Sequence, residues 1–215
     1  MKKVLKEILN SRWITLVVEV IFVSTLILTL FSIYKIITSN APDFSVLWSA
    51  SKDLLASKNF YVNKELYTGV GYPPNTLLFY LPLTQVPYKV AQAFFLFLST
   101  FCLVFSIFIS LVLIFKRIDR RAFLFIVAMV FLSFPTKFTL GMGQNNAIAL
   151  MLILLSLYFF VLKKDYLSGL FLGLSIVLKT IFGFFLLFYL LRSKWQLITV
   201  SLFTLAISVL LIMAI

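Results

Sequence analysis

Few side chains in this sequence are equipped for chemistry. The 215 residues contain no histidine, one cysteine and seven carboxylates, against nineteen basic side chains. Histidine-based metal sites, Ser-His-Asp triads and Cys-His nucleophiles are therefore excluded within the chain. What remains is a scatter of polar groups among apolar runs. Asp43 follows the first of those runs, in "NAPDFSVLWSASKDLLASKNFY". A carboxylate at a water–lipid boundary could take a proton from a hydroxyl. Asp43 also stands where an N-cap belongs, ahead of Phe44, Leu47, Trp48, Ser51, Leu54 and Leu55 at helical spacing. The two roles are compatible, because a cap fixes its carboxylate in space. The helix it would begin is amphipathic and suited to the outer membrane surface.

Three further stretches carry polar groups. In "GYPPN", Gly71 to Asn75, Tyr72 is biased to extended geometry by the following proline, so the segment reads as a rigid turn. Either it simply returns the chain to the membrane, or its aromatic ring lines a sugar or headgroup site. In "GMGQNN", Gly141 to Asn146, glycines permit close backbone approach and three carboxamides both donate and accept. This is either a polar helix start or a sugar- or phosphate-recognising helix N-terminus. Lys179 lies mid-way along an apolar segment, where ionisable groups are rare and generally functional. Its natural partner is a phosphate on a lipid, and Lys137 is a second candidate for that phosphate. Glu19 sits within the first apolar run and could pair with a base or face a cavity. Cys102, alone in an apolar run, reads as a small buried hydrophobe.

The elements that must position these groups belong to a membrane protein. The sequence is 62% hydrophobic and 12% charged, against about 45–50% and about 25% in soluble domains. Apolar segments run over 13–37, 90–115, 122–140 (broken near Pro135 and Lys137), 147–162, 167–191 (broken at Lys179) and 197–215. Together with an external loop at 38–89 they form a single transmembrane domain, residues 1–215. The first run is too long for a signal peptide and reads as an uncleaved helix. With the N-terminus cytoplasmic, Lys2, Lys3, Lys6, Arg12, Lys116, Arg117, Arg120, Arg121, Lys163, Lys164, Arg192 and Lys194 share the cytoplasmic side, including all five arginines. This orientation requires 167–191 to enter and leave as two limbs, each of roughly 18 Å, with Lys179 at the turn. Asp43, the "GMGQNN" turn and Lys179 then share the external face. The net charge of +12 thus sets topology rather than nucleic-acid binding.

Taken in order, "PDFSVLWSASKDLLASKNFY", "YPPNTLLFYLPLTQVPYKVAQAFF", "GQNN" and "GLFLGLSIVLKT" resemble glycosyltransferase family 87, over most of residues 42–195. The resemblance implies an all-α polytopic bundle of the GT-C fold, with about 6–7 membrane segments, some short or re-entrant. It implies an enzyme that transfers a sugar from a polyprenyl-phosphate donor to an acceptor hydroxyl, with inversion, on the outer face of a prokaryotic plasma membrane. Asp43 is then the general base, Lys179 and Lys137 hold the donor phosphate, and Tyr72, Trp48, Gln144 and Asn146 contact sugar or acceptor. The implied partners are the lipid-linked donor, a lipid or glycan acceptor and the bilayer. No cofactor and no metal are expected, since the protein's own cations can stabilise a leaving phosphate. The sequence departs from the family in having Thr180 and Ile181 where proline commonly follows the lysine. It ends within an apolar run, which reads as an N-terminal portion or a short member. A flippase or transporter of lipid-linked substrates, and a non-catalytic truncated membrane protein, are the competing classes. Transporters also use broken helices with ions at the membrane midplane.

Overall fold

The computed structural model describes residues 12–61, 71–115 and 118–215. Lys2, Lys3, Lys6, Lys116 and Arg117 of the basic set expected on the cytoplasmic side, and residues 62–70 of the loop expected outside, lie outside the described residues. Among the described residues every regular element is helical. In chain order they are α1 (Arg12–Thr38), α2 (Pro42–Leu55), two 3₁₀ segments (Pro74–Phe79 and Leu81–Gln85), α3 (Tyr88–Ile114) and α4 (Arg120–Leu132). They continue with α5 (Phe134–Met142), α6 (Asn146–Val161), α7 (Asp165–Leu178), a 3₁₀ turn (Thr180–Gly183), α8 (Phe184–Leu191) and α9 (Trp195–Met213).

Three of these helices, α1, α3 and α9, are long and apolar enough to cross a membrane. The pair α4–α5 passes the same test as one span bent by 63°. Its break falls at Ser133, just before Pro135, where a proline in the first turn of α5 costs no hydrogen bond. The helices α6, α7 and α8 are apolar but shorter. The chain is thus a multi-pass helical membrane protein, with three or four full spans by length and composition among the described residues. At 14 residues, α7 reaches only about 21 Å and ends at Lys179.

Small residues and buried hydroxyls bring the short helices together. Gly169 and Gly173 stand four apart on α7, the spacing that permits close helix approach in membranes. A Cβ on Gly169 would lie 2.5 Å from the Leu197 carbonyl oxygen, and one on Gly173 2.6 Å from Thr204 Cβ. No larger side chain fits between α7 and α9. Ser156 on α6 meets Ser168 on α7 and the Tyr189 hydroxyl on α8, each at 3.2 Å, in a buried polar knot. Between α7 and α9, Lys194 pairs with Asp165 at 3.1 Å. Glu19, left open by the sequence, pairs with Arg120 at 3.3 Å and so joins α1 to α4. Cys102 is buried in the main apolar core, as its surroundings in sequence suggest.

The stretch between α1 and α3 folds against this bundle. Helix α2 buries Phe44, Leu47, Ala50 and Ser51. That face packs on the 3₁₀ segments and the start of α3, so the protein's own core covers it where a lipid surface was expected. The apolar stretch "NTLLFYLPL" becomes the paired 3₁₀ segments, with Thr76, Leu77 and Tyr80 fully buried.

Candidate active site

Asp43 lies in the first turn of α2. Its expected N-cap role is corrected: Ala41 is the N-cap, Pro42 takes the first helical position, and no side chain caps the helix. Proline suits that position because its ring presets φ and the N–H it lacks is an orphan there. The Asp43 carboxylate is consequently not engaged in capping, and it is only half-buried. Its neighbour Phe44 anchors it. The Phe44 ring packs on Phe95 at 5.0 Å and on Tyr80 at 6.0 Å, and the Phe44 side chain is fully buried. The turn leading into α2 is tied down as well. Lys89 Nζ donates to the Ser39 carbonyl at 2.6 Å and Gln92 Nε2 to the Ile36 carbonyl at 2.7 Å, satisfying the free end of α1.

Lys179 occupies the break after α7, with extended backbone at φ −146°. Neither proline nor glycine marks this break. The carbonyls it releases are taken up by side chains from other parts of the chain. Thr76 Oγ1 donates to the Val177 carbonyl at 2.8 Å, and Asn145 Nδ2 to the Leu178 carbonyl at 3.2 Å. Burial acts most strongly on the Lys179 ammonium and the Asp43 carboxylate second, from beyond ion-pair distance; Asp43 also acts on Tyr72. The Tyr72 phenol is pushed above its ordinary value by burial first and by Asp43 second. The fully buried Tyr80 phenol is pushed well up by burial, then by Tyr72 and Asp43. Both therefore remain protonated donors at neutral pH.

Of the residues singled out from sequence, Tyr72 and Lys179 each lie within electrostatic range of Asp43. Gln144 lies in the turn before α6 and Asn146 at its first position, where Asn146 Nδ2 donates to Gln144 Oε1 at 2.6 Å. Asn146 begins that helix, and its N-cap Asn145 makes no capping bond. Trp48 is committed to packing. Its Nε1 donates to the Leu83 carbonyl at 3.0 Å, its ring meets Tyr88 edge-on, and Lys52 stands over its face. Lys137 is exposed and lines a separate cavity of about 360 Å³ between α1 and α4–α5, together with Lys35. Neither Asp43 nor Lys179 lines that cavity.

The structure gives the glycines and carboxamides of "GMGQNN" specific contacts and adds groups from elsewhere. Gly143 closes α5 at φ +68°, in the left-handed region that favours glycine. A Cβ there would lie 2.7 Å from Phe44 Cβ and 2.8 Å from Ala41 Cβ, so its backbone presses on both flanks of Pro42–Asp43. Tyr80 Oη, Asn145 Oδ1 and Asn146 Oδ1 are buried, with no hydrogen-bond partner among the described residues. Beside Lys179, an apolar groove of about 580 Å³ runs between α3, α6, α7 and α9, with Phe79, Cys102, Val177 and Leu178 in its wall. Asn145 sits inside a stretch whose neighbours drew notice for their chemistry. Nothing in the local sequence marks Thr76.

This geometry places a carboxylate, a cation and a protonated phenol within electrostatic range, near an apolar groove in a membrane bundle. The family model for glycosyltransferase family 87 matches residues 70–215, more than half of the chain. The chain belongs to glycosyltransferase family 87. No curated protein and no solved structure matches it. The matched stretch of this glycosyltransferase contains Tyr72, Lys137, Gln144, Asn146 and Lys179, whereas Asp43 and Trp48 precede it. For Asp43, the burial of Phe44 and the electrostatic link to Lys179 supply the connection to the family region.

Proposed function

We propose that this membrane glycosyltransferase takes a sugar from a polyprenyl-phosphate donor and passes it to an acceptor hydroxyl on the outer face of a prokaryotic plasma membrane. The N-terminus is cytoplasmic in this reading. What supports it is the placement of Lys179 at the break after α7, one residue beyond the wall of the apolar groove and within electrostatic range of Asp43, although the two are far apart in sequence. The groove accommodates isoprenoid units of the donor, and Lys179 receives its phosphate. Asp43 accepts the proton as the acceptor oxygen attacks the anomeric carbon. The bond from that carbon to the phosphate oxygen breaks with inversion, and its electron pair leaves on polyprenyl phosphate. The Lys179 ammonium stabilises the charge that develops there. Tyr72 donates to sugar or acceptor, and the Gln144 and Asn146 side chains contact the sugar.

Asp43→Asn in the full-length protein, reconstituted in liposomes, tests this reading. The substitution keeps the side chain's shape and removes its basicity. Loss of general-base assistance lowers transfer by about 10²–10⁴-fold. A wild-type rate in this variant excludes Asp43 as the base. A second reading, transport of the lipid-linked sugar, draws on the discontinuous α7–α8 pair with its cation at the break. Donor-dependent flux without sugar transfer in the same liposomes would favour it.

A further inference from the structure

We propose that the turn Gly143–Asn145, together with Thr76, is a spacer that sets the separation of Asp43 and Lys179. This rests on the reading above, in which Lys179 holds the donor phosphate. The turn touches both sides of the site. At one end the Gly143 backbone packs so closely on Ala41 and Phe44 that not even a methyl group fits. Those residues flank Pro42–Asp43. At the other end Asn145 Nδ2 holds the Leu178 carbonyl, one residue before Lys179. Only one residue separates the two contacts, so the turn links the two elements with little slack.

Thr76 supplies an independent clamp on the Lys179 side. It is fully buried and holds the Val177 carbonyl. The end of α7 has no proline or glycine to stop it, and its last carbonyls would be orphans in an apolar setting. Buried, unpaired carbonyls are costly, so the helix stops where Thr76 and Asn145 provide donors. The backbone of Lys179 is thereby fixed relative to the turn, and through Gly143 relative to Asp43. Thr76, Gly143 and Asn145 are positioning residues: they act through Lys179 and Asp43.

The test measures farnesyl phosphate binding to the full-length protein in detergent micelles. Lys179→Ala provides the reference loss. Thr76→Val, similar in shape but without the donor, should weaken binding about tenfold, the scale of one hydrogen bond. Thr76→Ser keeps the hydroxyl and should bind within about twofold of wild type. Asn145→Ala should behave like Thr76→Val. In the Lys179→Ala background, Thr76→Val should have no further effect, whereas a merely structural role would weaken binding in both backgrounds. Gly143→Ala should slow sugar transfer while leaving farnesyl phosphate affinity within about twofold, because it displaces Asp43 and not Lys179. Wild-type binding by Thr76→Val and Asn145→Ala, with a clear loss for Lys179→Ala, overturns the spacer alone. Wild-type binding by Lys179→Ala overturns both the spacer and the phosphate-holding role it rests on.

Discussion

Phe44 and Phe95 meet with ring centroids 5.0 Å apart, and through that contact α3 fixes the residue next to Asp43. Phe44 is fully buried, so its ring is held by packing on all sides. Phe44→Ala should cost about 3–5 kcal/mol of stability. It should also reduce sugar transfer in the protein that remains folded, because the first turn of α2 loses its anchor. Phe44→Leu should keep most of the stability and recover part of the activity. Thermal unfolding in detergent and transfer rates on the same samples check both effects.

Lys179 offers a different contrast. Lys179→Arg keeps the charge and Lys179→Ala removes it. Under the proposed mechanism the alanine variant should raise KM for the lipid-linked donor by about tenfold or more, and lower kcat as well. KM for the acceptor should change little. The arginine variant should retain part of the activity, with altered geometry at the phosphate. An equal rise in both KM values for Lys179→Ala would assign the lysine a structural role.

The α7–α9 interface is predicted to reject any added volume. Gly173→Ala places a methyl group 2.6 Å from Thr204 Cβ, and Gly169→Ala places one 2.5 Å from the Leu197 carbonyl. Each should destabilise by about 1–3 kcal/mol, the usual range for overpacking. The Gly169 variant should be the worse, since a backbone carbonyl yields less readily than a side chain. Gly183→Ala, where nothing among the described residues lies within 4 Å of the added carbon, is the control expected to leave the melting temperature nearly unchanged.

Tyr72 gives a pH-dependent prediction. Its phenol is raised above the ordinary 10.0, by burial and then by Asp43. A raised value in the folded state means that the folded protein holds the proton more tightly than the unfolded chain. The stabilisation is fully present below pH 10.0 and is lost as pH rises through the folded value. Tyr72→Phe should therefore flatten the alkaline decline in thermal stability. The ultraviolet titration of the wild type should contain a tyrosine above the ordinary range that this variant lacks.

Much of the architecture was legible in sequence because lipid imposes strong rules. Apolar length announces membrane helices, and the run of prolines and aromatics after Gly71 announces a turn. The break near Pro135 was readable from proline itself, which cannot continue a helix ladder. The Gly169–Gly173 spacing was also present in sequence, but its meaning required the partner, Leu197 and Thr204 on α9. The N-cap reading of Asp43 failed for a local reason. Pro42 is better suited than Asp43 to lie at the helix start, which moves the cap to Ala41.

By itself, the sequence determined that this is a helical membrane protein, that its acids are scarce, and that Asp43 and Lys179 interrupt or border apolar runs. It also carried the family resemblance, since ordered motifs persist in one dimension. Tertiary structure alone decided which of those groups meet. It drew Asp43, Tyr72 and Lys179 into one electrostatic neighbourhood and left Lys137 beside Lys35 in another cavity. It turned Trp48 to packing against Leu83 and Tyr88. It also stopped α7 at Lys179 without a breaking residue, through donors from Thr76 and Asn145. The physical reason is the same in each case. Helix propensity and hydropathy act along the chain, whereas the satisfaction of a buried carbonyl or the coupling of two charges depends on what folding brings beside them.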